Sequence, residues 1–319
     1  MTITALKTPK MVEETPKRNG KGNGDSRIHL DETIFHSKLG RYTTLDYRAN
    51  EIVVLRPHGA VIEFLGMPKG GKSKQIEMLI KNLKQDEEFS GLQIELFKPN
   101  TAAKMLFAKE TDRGLFHENI VWDQINSLAK IHSRIKNKTV PYREVDLAIF
   151  DRGIIDSLVW TEVLFRRGDL NPRQRAYLNA MTGEYETRIN LAIGMNVTPE
   201  EAMRREGEKA GTVMNQRSLE QLFMHYMMLD FMNDQERATI IGGEERYAPF
   251  IQDLTLKESE RPNYYGAFKL ENTNYLGIEC KICETEEEKR RDLEGNAAKI
   301  YSKVAPIVRA RLQEHTSEA

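Results

Sequence analysis

The chain has 319 residues, 39% of them hydrophobic and 30% charged, with a formal net charge of −1 at pH 7. That length holds one large or two ordinary domains with a proper core, and the balanced charge supplies no overall basic field for nucleic acid or anionic lipid. With no apolar run of about eighteen residues and no signal-peptide h-region, the expectation is a cytoplasmic protein with neither a membrane nor a nucleic-acid partner.

Residues 1–27 are rich in lysine, glycine and threonine and lack aromatic residues, and they read as a disordered tail. Residues 28–58 read as an extension, in which Ile52-Val53-Val54-Leu55 suggests a strand on the edge of the main sheet. The main domain is expected over 59–319. Gly59-Ala60 opens it like a turn, and the mostly apolar run Val61–Leu65 then leads to Gly66-Met67-Pro68-Lys69-Gly70-Gly71-Lys72-Ser73. This is G-x-x-x-x-G-K-S, the phosphate-binding P-loop. Its glycines let backbone N–H groups turn toward a polyphosphate. Lys72 is placed to reach the β- and γ-phosphates and Ser73 to ligate Mg²⁺. Ile76, Leu79, Ile80 and Leu83 follow at helical spacing, so a strand precedes the loop and a helix N-terminus follows it. Gly66 to Ser73, with Lys74, are the expected ATP contacts.

Leu92–Phe97 reads as a second strand that ends at Lys98-Pro99. A helix is expected over about Asn119–Ile135, with Trp122 and Gln124 near its start. Val145–Phe150 is a clear third strand and runs into Asp151-Arg152-Gly153. Ligands of open parallel sheets sit beyond the carboxyl ends of the strands, so Asp151 is a candidate metal ligand beside Ser73. The alternative is a turn aspartate that caps the next helix. Helices are expected over Ile154–Phe165 and Pro172 to about Tyr185, and a fourth strand over Leu191–Val197. Thr198-Pro199-Glu200-Glu201 has the form of a helix start, with Thr198 as N-cap, Pro199 in the first turn and Glu201 closing a capping box. That helix carries Arg204 and Arg205 and stops at Gly207. A glycine-bracketed loop then runs to Gly211, and beyond Arg217 an amphipathic helix includes Leu219, Leu222, Phe223, Tyr226 and Met227. Residues 242–270 read as an insertion, Tyr275–Ile282 as a fifth strand and Leu293–Leu312 as a final helix that Pro306 can kink. The only cysteines, Cys280 and Cys283, form a single C-x-x-C, which is more often two buried thiols than a zinc site.

Alternating strands and helices imply a parallel sheet with right-handed crossovers. The order of motifs is P-loop, Asp-Arg-Gly after an apolar strand, then an arginine-bearing helix with a glycine-bracketed loop. It resembles the thymidylate kinase and deoxyribonucleoside kinase group of P-loop nucleotide kinases. The resemblance implies a three-layer α/β P-loop NTPase fold with a five-stranded parallel sheet flanked by helices, and ATP with Mg²⁺ as cofactors. It implies that Asp151 serves metal or acceptor, that Arg152 holds phosphate, and that Arg204 and Arg205 form a lid closing on the transferred group. Nucleoside kinases of the group place a base carboxylate after the second strand; here that spot reads Phe97-Lys98-Pro99. The acceptor expected from this is a nucleoside monophosphate, contacted by Lys98, Trp122, Gln124 and Arg152. Glu63, Glu95 and Asp156 are the carboxylates to act as base if a strand is out of register. The rival readings are a P-loop ATPase, a nucleotide-binding regulator of a protein partner, and a deoxynucleoside kinase. The partner is a small-molecule acceptor, and a homodimer is allowed.

Overall fold

The computed structural model describes residues 52–98, 112–133, 142–207, 216–233, 269–270 and 273–318. The tail expected at 1–27, most of the 28–58 extension, all but Gly207 of the glycine-bracketed loop expected up to Gly211 and nearly all of the 242–270 insertion lie outside the described residues.

The apolar run before the phosphate loop is the end of a long strand, β1 (Ile52–Gly66). After it come α1 (Lys72–Gln85), β2 (Ile94–Phe97), α2 (Arg113–Ile131) and β3 (Tyr142–Asp151). The chain continues through α3 (Ile154–Arg166), α4 (Pro172–Glu186), β4 (Leu191–Asn196) and α5 (Pro199–Glu206). It closes with α6 (Gln216–Asn233), β5 (Asn274–Glu279) and α7 (Glu286–Glu318). The five strands form one sheet in the order β2-β3-β1-β4-β5, and every pair is parallel. Helices flank the sheet, giving the three-layer α/β arrangement of P-loop NTPases. Because both faces are covered, the strands read as continuous apolar runs rather than alternating ones. Val61, Ile62, Phe64 and Leu65 of β1 and Leu147, Ala148 and Ile149 of β3 are all fully buried.

β1 is central, with β3 on one side and β4 on the other. The connection from β1 leads to β2 on one side, and the connection from β3 crosses to β4 on the other, which opens the crevice where such folds bind ligands. The phosphate loop fills that position.

Several expectations are corrected. Ile52–Leu55 is the first half of the central strand rather than an edge strand, and it pairs with Tyr142–Val145 of β3. The register then slips between Leu55 and Ala60. A side chain at Gly59 would press on Leu55, 2.5 Å away, so this glycine marks a bulge and not a domain-opening turn. The boundary expected at residue 58 therefore falls inside β1. α2 starts at Arg113, where Asp112 caps it by accepting the Leu115 N–H at 2.8 Å, and it ends at Ile131. Its first turns carry polar residues that break the apolar periodicity. Thr198 caps α5 by accepting the Glu201 N–H at 3.3 Å. The Glu201 carboxylate, however, turns to Arg204 and Arg205 instead of closing a box. A complete capping box occurs on α4, between Asn171 and Gln174. β5 ends at Glu279, so Cys280 and Cys283 lie in the segment after it, both buried and both free thiols. Among the described residues no helix is long and apolar enough to cross a membrane.

Candidate nucleotide site

The loop from Gly66 to Ser73 owes its shape to β4. The Met67 N–H donates to the Met195 carbonyl at 3.1 Å. A side chain on Gly66, whose φ is +124°, would run into that same carbonyl, and one on Gly70 would come within 2.9 Å of it. The buried Cys280 thiol, just past β5, donates to the Gly70 carbonyl at 3.0 Å. Gly71, at φ 85°, is the N-cap of α1 and gives it no side-chain cap. The first N–H groups of that helix are thereby directed at whatever anion the loop holds.

Lys72 is buried, and its ammonium donates to the Gly66 and Met67 carbonyls at 2.9 and 2.8 Å. Burial pushes its pKa down to about 7; Arg152 adds to the shift, and Asp156 and Asp151 oppose it. Ser73 Oγ donates to Asp151 Oδ2 at 3.3 Å, so the hydroxyl and carboxylate singled out from the sequence do meet. Two hard oxygen donors on an exposed rim suit Mg²⁺, which takes one or two protein oxygens and completes its shell with water and phosphate.

Behind this rim lies a buried polar layer that strand and helix periodicity did not indicate. Glu63, three residues before the carboxyl end of β1, is fully buried. Its carboxylate accepts the N–H groups of Gly153 (3.1 Å), Ile155 (3.1 Å) and Asp156 (2.8 Å), and so caps α3 from a neighbouring strand. Burial pushes its pKa up to about 8, against these three donors. Both oxygens accept N–H groups, and these three donors favour the carboxylate form against the burial. A side chain on Gly153 would meet Glu63 Oε2 at 2.5 Å, which explains the glycine after Asp151-Arg152.

Asp156, in the first turn of α3, accepts from Gly66 N–H (3.2 Å) and Tyr226 O–H (2.6 Å) on one oxygen and from Arg152 Nη1 (2.9 Å) on the other. Burial alone would lower the Arg152 pKa, but Asp156 more than offsets it and the value is raised. Arg152 sits at φ 69°, a left-handed conformation unusual for a non-glycine residue, fixed by its N–H to the Phe64 carbonyl at 2.8 Å.

The other candidates fall differently. Gln124 of α2 is buried beside the layer, donating to the Arg152 carbonyl at 3.3 Å and accepting from Ser157 Oγ at 2.5 Å. Trp122 is two residues away, about 200° round the helix, and lies 41% exposed against Tyr177 of α4. It is not brought into this cluster. Lys98 is exposed one position beyond the Phe97–Phe150 pair, level with Asp151. Met67 is core, Pro68 half-buried and Lys69 exposed, and Lys74 pairs along α1 with Glu77 at 3.3 Å. Arg204 and Arg205 reach the loop region, but as ties. Arg205 donates to Glu201 (2.7 Å), the Lys69 carbonyl (3.1 Å) and the Lys281 carbonyl (3.1 Å). Arg204 donates to Glu201 at 2.6 and 2.7 Å and to the Cys283 carbonyl at 3.2 Å. Sequence reading missed Tyr226 as a site residue, because its partner Asp156 is 70 positions away. Glu63 did leave a signal, as a carboxylate inside an apolar strand.

No protein-family model matches this sequence, and no curated protein matches it. Solved structures with a similar chain course include deoxyadenosine kinase from M. mycoides with bound dATP. It is 16% identical, with a TM-score of 0.40 over 56% of this chain and 86% of that one. The same kinase with products dCMP and a flexible dCDP is 12% identical, with a TM-score of 0.44 over 77% of this chain and 99% of that one. With bound dCTP it is 14% identical, with a TM-score of 0.42 over 76% and 99%. At these identities and scores the likeness carries nothing about substrate.

Proposed function

We propose that this protein transfers the γ-phosphoryl group of ATP to a nucleoside monophosphate. Phosphoryl transfer asks the protein for position and counter-charge more than for covalent chemistry. Lys72 and the N–H groups opening α1 would hold the β- and γ-phosphates. Ser73 and Asp151 would hold Mg²⁺, which supplies charge neutralisation between the phosphates. Arg152 and Lys98, at the ends of β3 and β2, would hold the acceptor phosphate against repulsion from the incoming group.

The observation that supports a phosphorylated acceptor is the fate of the carboxylates. A sugar hydroxyl needs a base within hydrogen-bond reach. Glu63 is fully buried under three N–H donors, and Asp156 is enclosed by Gly66, Tyr226 and Arg152. Glu95 is held by Arg143 at 2.5 Å. Among the described residues this leaves Asp151 at the loop, where it faces Ser73. A monophosphate, with a second pKa of about 6, is largely ionised at neutral pH and needs no base.

The test is labelled ATP offered with matched panels of nucleosides and nucleoside monophosphates. Transfer to a monophosphate that falls about 10²–10³-fold in Lys72→Ala is the expected result, by analogy with loss of one transition-state donor. Transfer only to a nucleoside, or ATP turnover indifferent to any acceptor, overturns the reading.

A further inference from the structure

The geometry points to Tyr226 as a positioning residue of the phosphate loop, acting through Asp156. The inference rests on Gly66–Ser73 being the polyphosphate site, and not on the identity of the acceptor. Tyr226 lies in the middle of α6, outside the phosphate-loop motif itself, and its side chain is fully buried beside Asp156 and Arg152. Its hydroxyl donates to Asp156 Oδ1 at 2.6 Å, the same oxygen that accepts the Gly66 N–H at 3.2 Å. The other Asp156 oxygen holds the Arg152 guanidinium at 2.9 Å. Gly66 in turn receives the Lys72 ammonium on its carbonyl at 2.9 Å. One carboxylate thus joins the first glycine of the loop, the arginine after β3 and a helix that begins at Gln216.

The physical need for the hydroxyl follows from burial. Asp156 is 3% exposed. A buried carboxylate keeps its charge and its orientation only while its lone pairs are met by donors. Water has little access to replace a missing donor there. Without the tyrosine hydroxyl, Oδ1 keeps only the longer Gly66 contact, and the carboxylate is drawn toward Arg152. Two consequences reach the phosphates together. As the carboxylate turns toward Arg152 its Oδ1 is no longer held under the Gly66 N–H, so the Gly66 peptide is fixed less firmly, and the negative charge beneath the loop is screened by one donor fewer. Both weaken the hold on a polyanion. Packing alone does not ask for the hydroxyl, since phenylalanine fills the same space.

The experiment measures MgATP affinity by calorimetry for the full chain, Lys72→Ala, Tyr226→Phe, Asp156→Asn and the Tyr226→Phe/Asp156→Asn double variant. A further protein carries 3-fluorotyrosine at position 226. Tyr226→Phe is expected to bind about 5–20-fold more weakly, less than the full size of one lost hydrogen bond to a charged group because the loss reaches the phosphates only through Asp156. The 3-fluorotyrosine protein, which keeps the donor, is expected to bind like the parent. In the Asp156→Asn background, Tyr226→Phe is expected to change affinity by less than about twofold, because the two act as one unit. A tyrosine that merely fills space would leave Phe as good as Tyr, and an effect independent of Asp156 would persist in the double variant; either result overturns the inference. If Asp156→Asn does not fold, the comparison of Phe with 3-fluorotyrosine decides alone. Equal binding by Lys72→Ala and the parent removes the polyphosphate site itself. Loss in Lys72→Ala with Tyr226→Phe unchanged removes only the role given to Tyr226.

Discussion

At the scale of single residues the site is a balance of buried charges. Lys72 and Arg152 are close enough to lower the Lys72 pKa, and Asp151 and Asp156 restrain the fall. With its pKa down near 7, Lys72 is largely neutral above that value until an anion arrives. A bound polyphosphate favours the ammonium and raises the pKa again, so binding takes up a proton when the pH lies above about 7. MgATP affinity should therefore hold below pH 7 and fall as pH rises, approaching tenfold per unit by about pH 9. Calorimetry in two buffers of different ionisation enthalpy, from pH 6 to 9, measures both the slope and the proton uptake. A flat affinity profile with no uptake would show that Lys72 stays charged throughout. Gly153 belongs to the same balance. Its missing side chain gives Glu63 room to reach the N-terminus of α3, so a strand carboxylate does the work of a helix cap.

At the scale of elements, α5 works as a tie between two loops. Glu201 is buried under both arginines, whose remaining donors grip the carbonyls of Lys69, Lys281 and Cys283. Glu201→Ala should release both guanidinium groups and cost about 1–3 kcal/mol of stability, since hydrogen bonds between charged groups are lost. Hydrogen exchange should then quicken over residues 199–207 and in the segment after β5. Unchanged exchange there would mean that α5 is held by its apolar face alone. This element also shows what a sequence can disclose. Thr198-Pro199 announced the start of the helix because an N-cap is a local device, and Gly207 its end. The partner of Glu201 was not legible, because Glu at the third helical position serves a capping box or an ion pair equally well. The Gly66–Ser73 loop and the Ser73–Asp151 meeting were readable, since motif and strand end each carry their own signal. Asp112 as the cap of α2 was written in the chain but masked by the polar turn after it. The Glu63 cap and the Tyr226–Asp156 bond needed the fold, because their partners come from other elements.

At the scale of the whole molecule, the phosphate loop is assembled from both ends of the described chain. α1 and the turn after it are braced by α7: Gln75 Nε2 donates to the Leu293 carbonyl at 3.0 Å, and Arg309 pairs with Glu88 of that turn at 2.6 Å. Tyr301 donates to Asp86 at the end of α1. Met195 of β4 supports the loop from below, and Cys280 supports it from 210 positions downstream of Gly70. This last contact has a meaning for synthesis on the ribosome. The loop is translated early, yet its floor and its brace leave the exit tunnel only when most of the described chain has been made. During that interval a strand-forming apolar run ending at Gly66 waits without neighbours on one side, a state open to aggregation and to chaperones. Ribosome-stalled chains that end before Asn274 should fail to retain MgATP, and chains extended past Arg309 and clear of the tunnel should hold it. Retention by the shorter chains would mean that β1 to β4 suffice. Otherwise nucleotide capture comes late in translation, as a sign that the sheet has received its last strand.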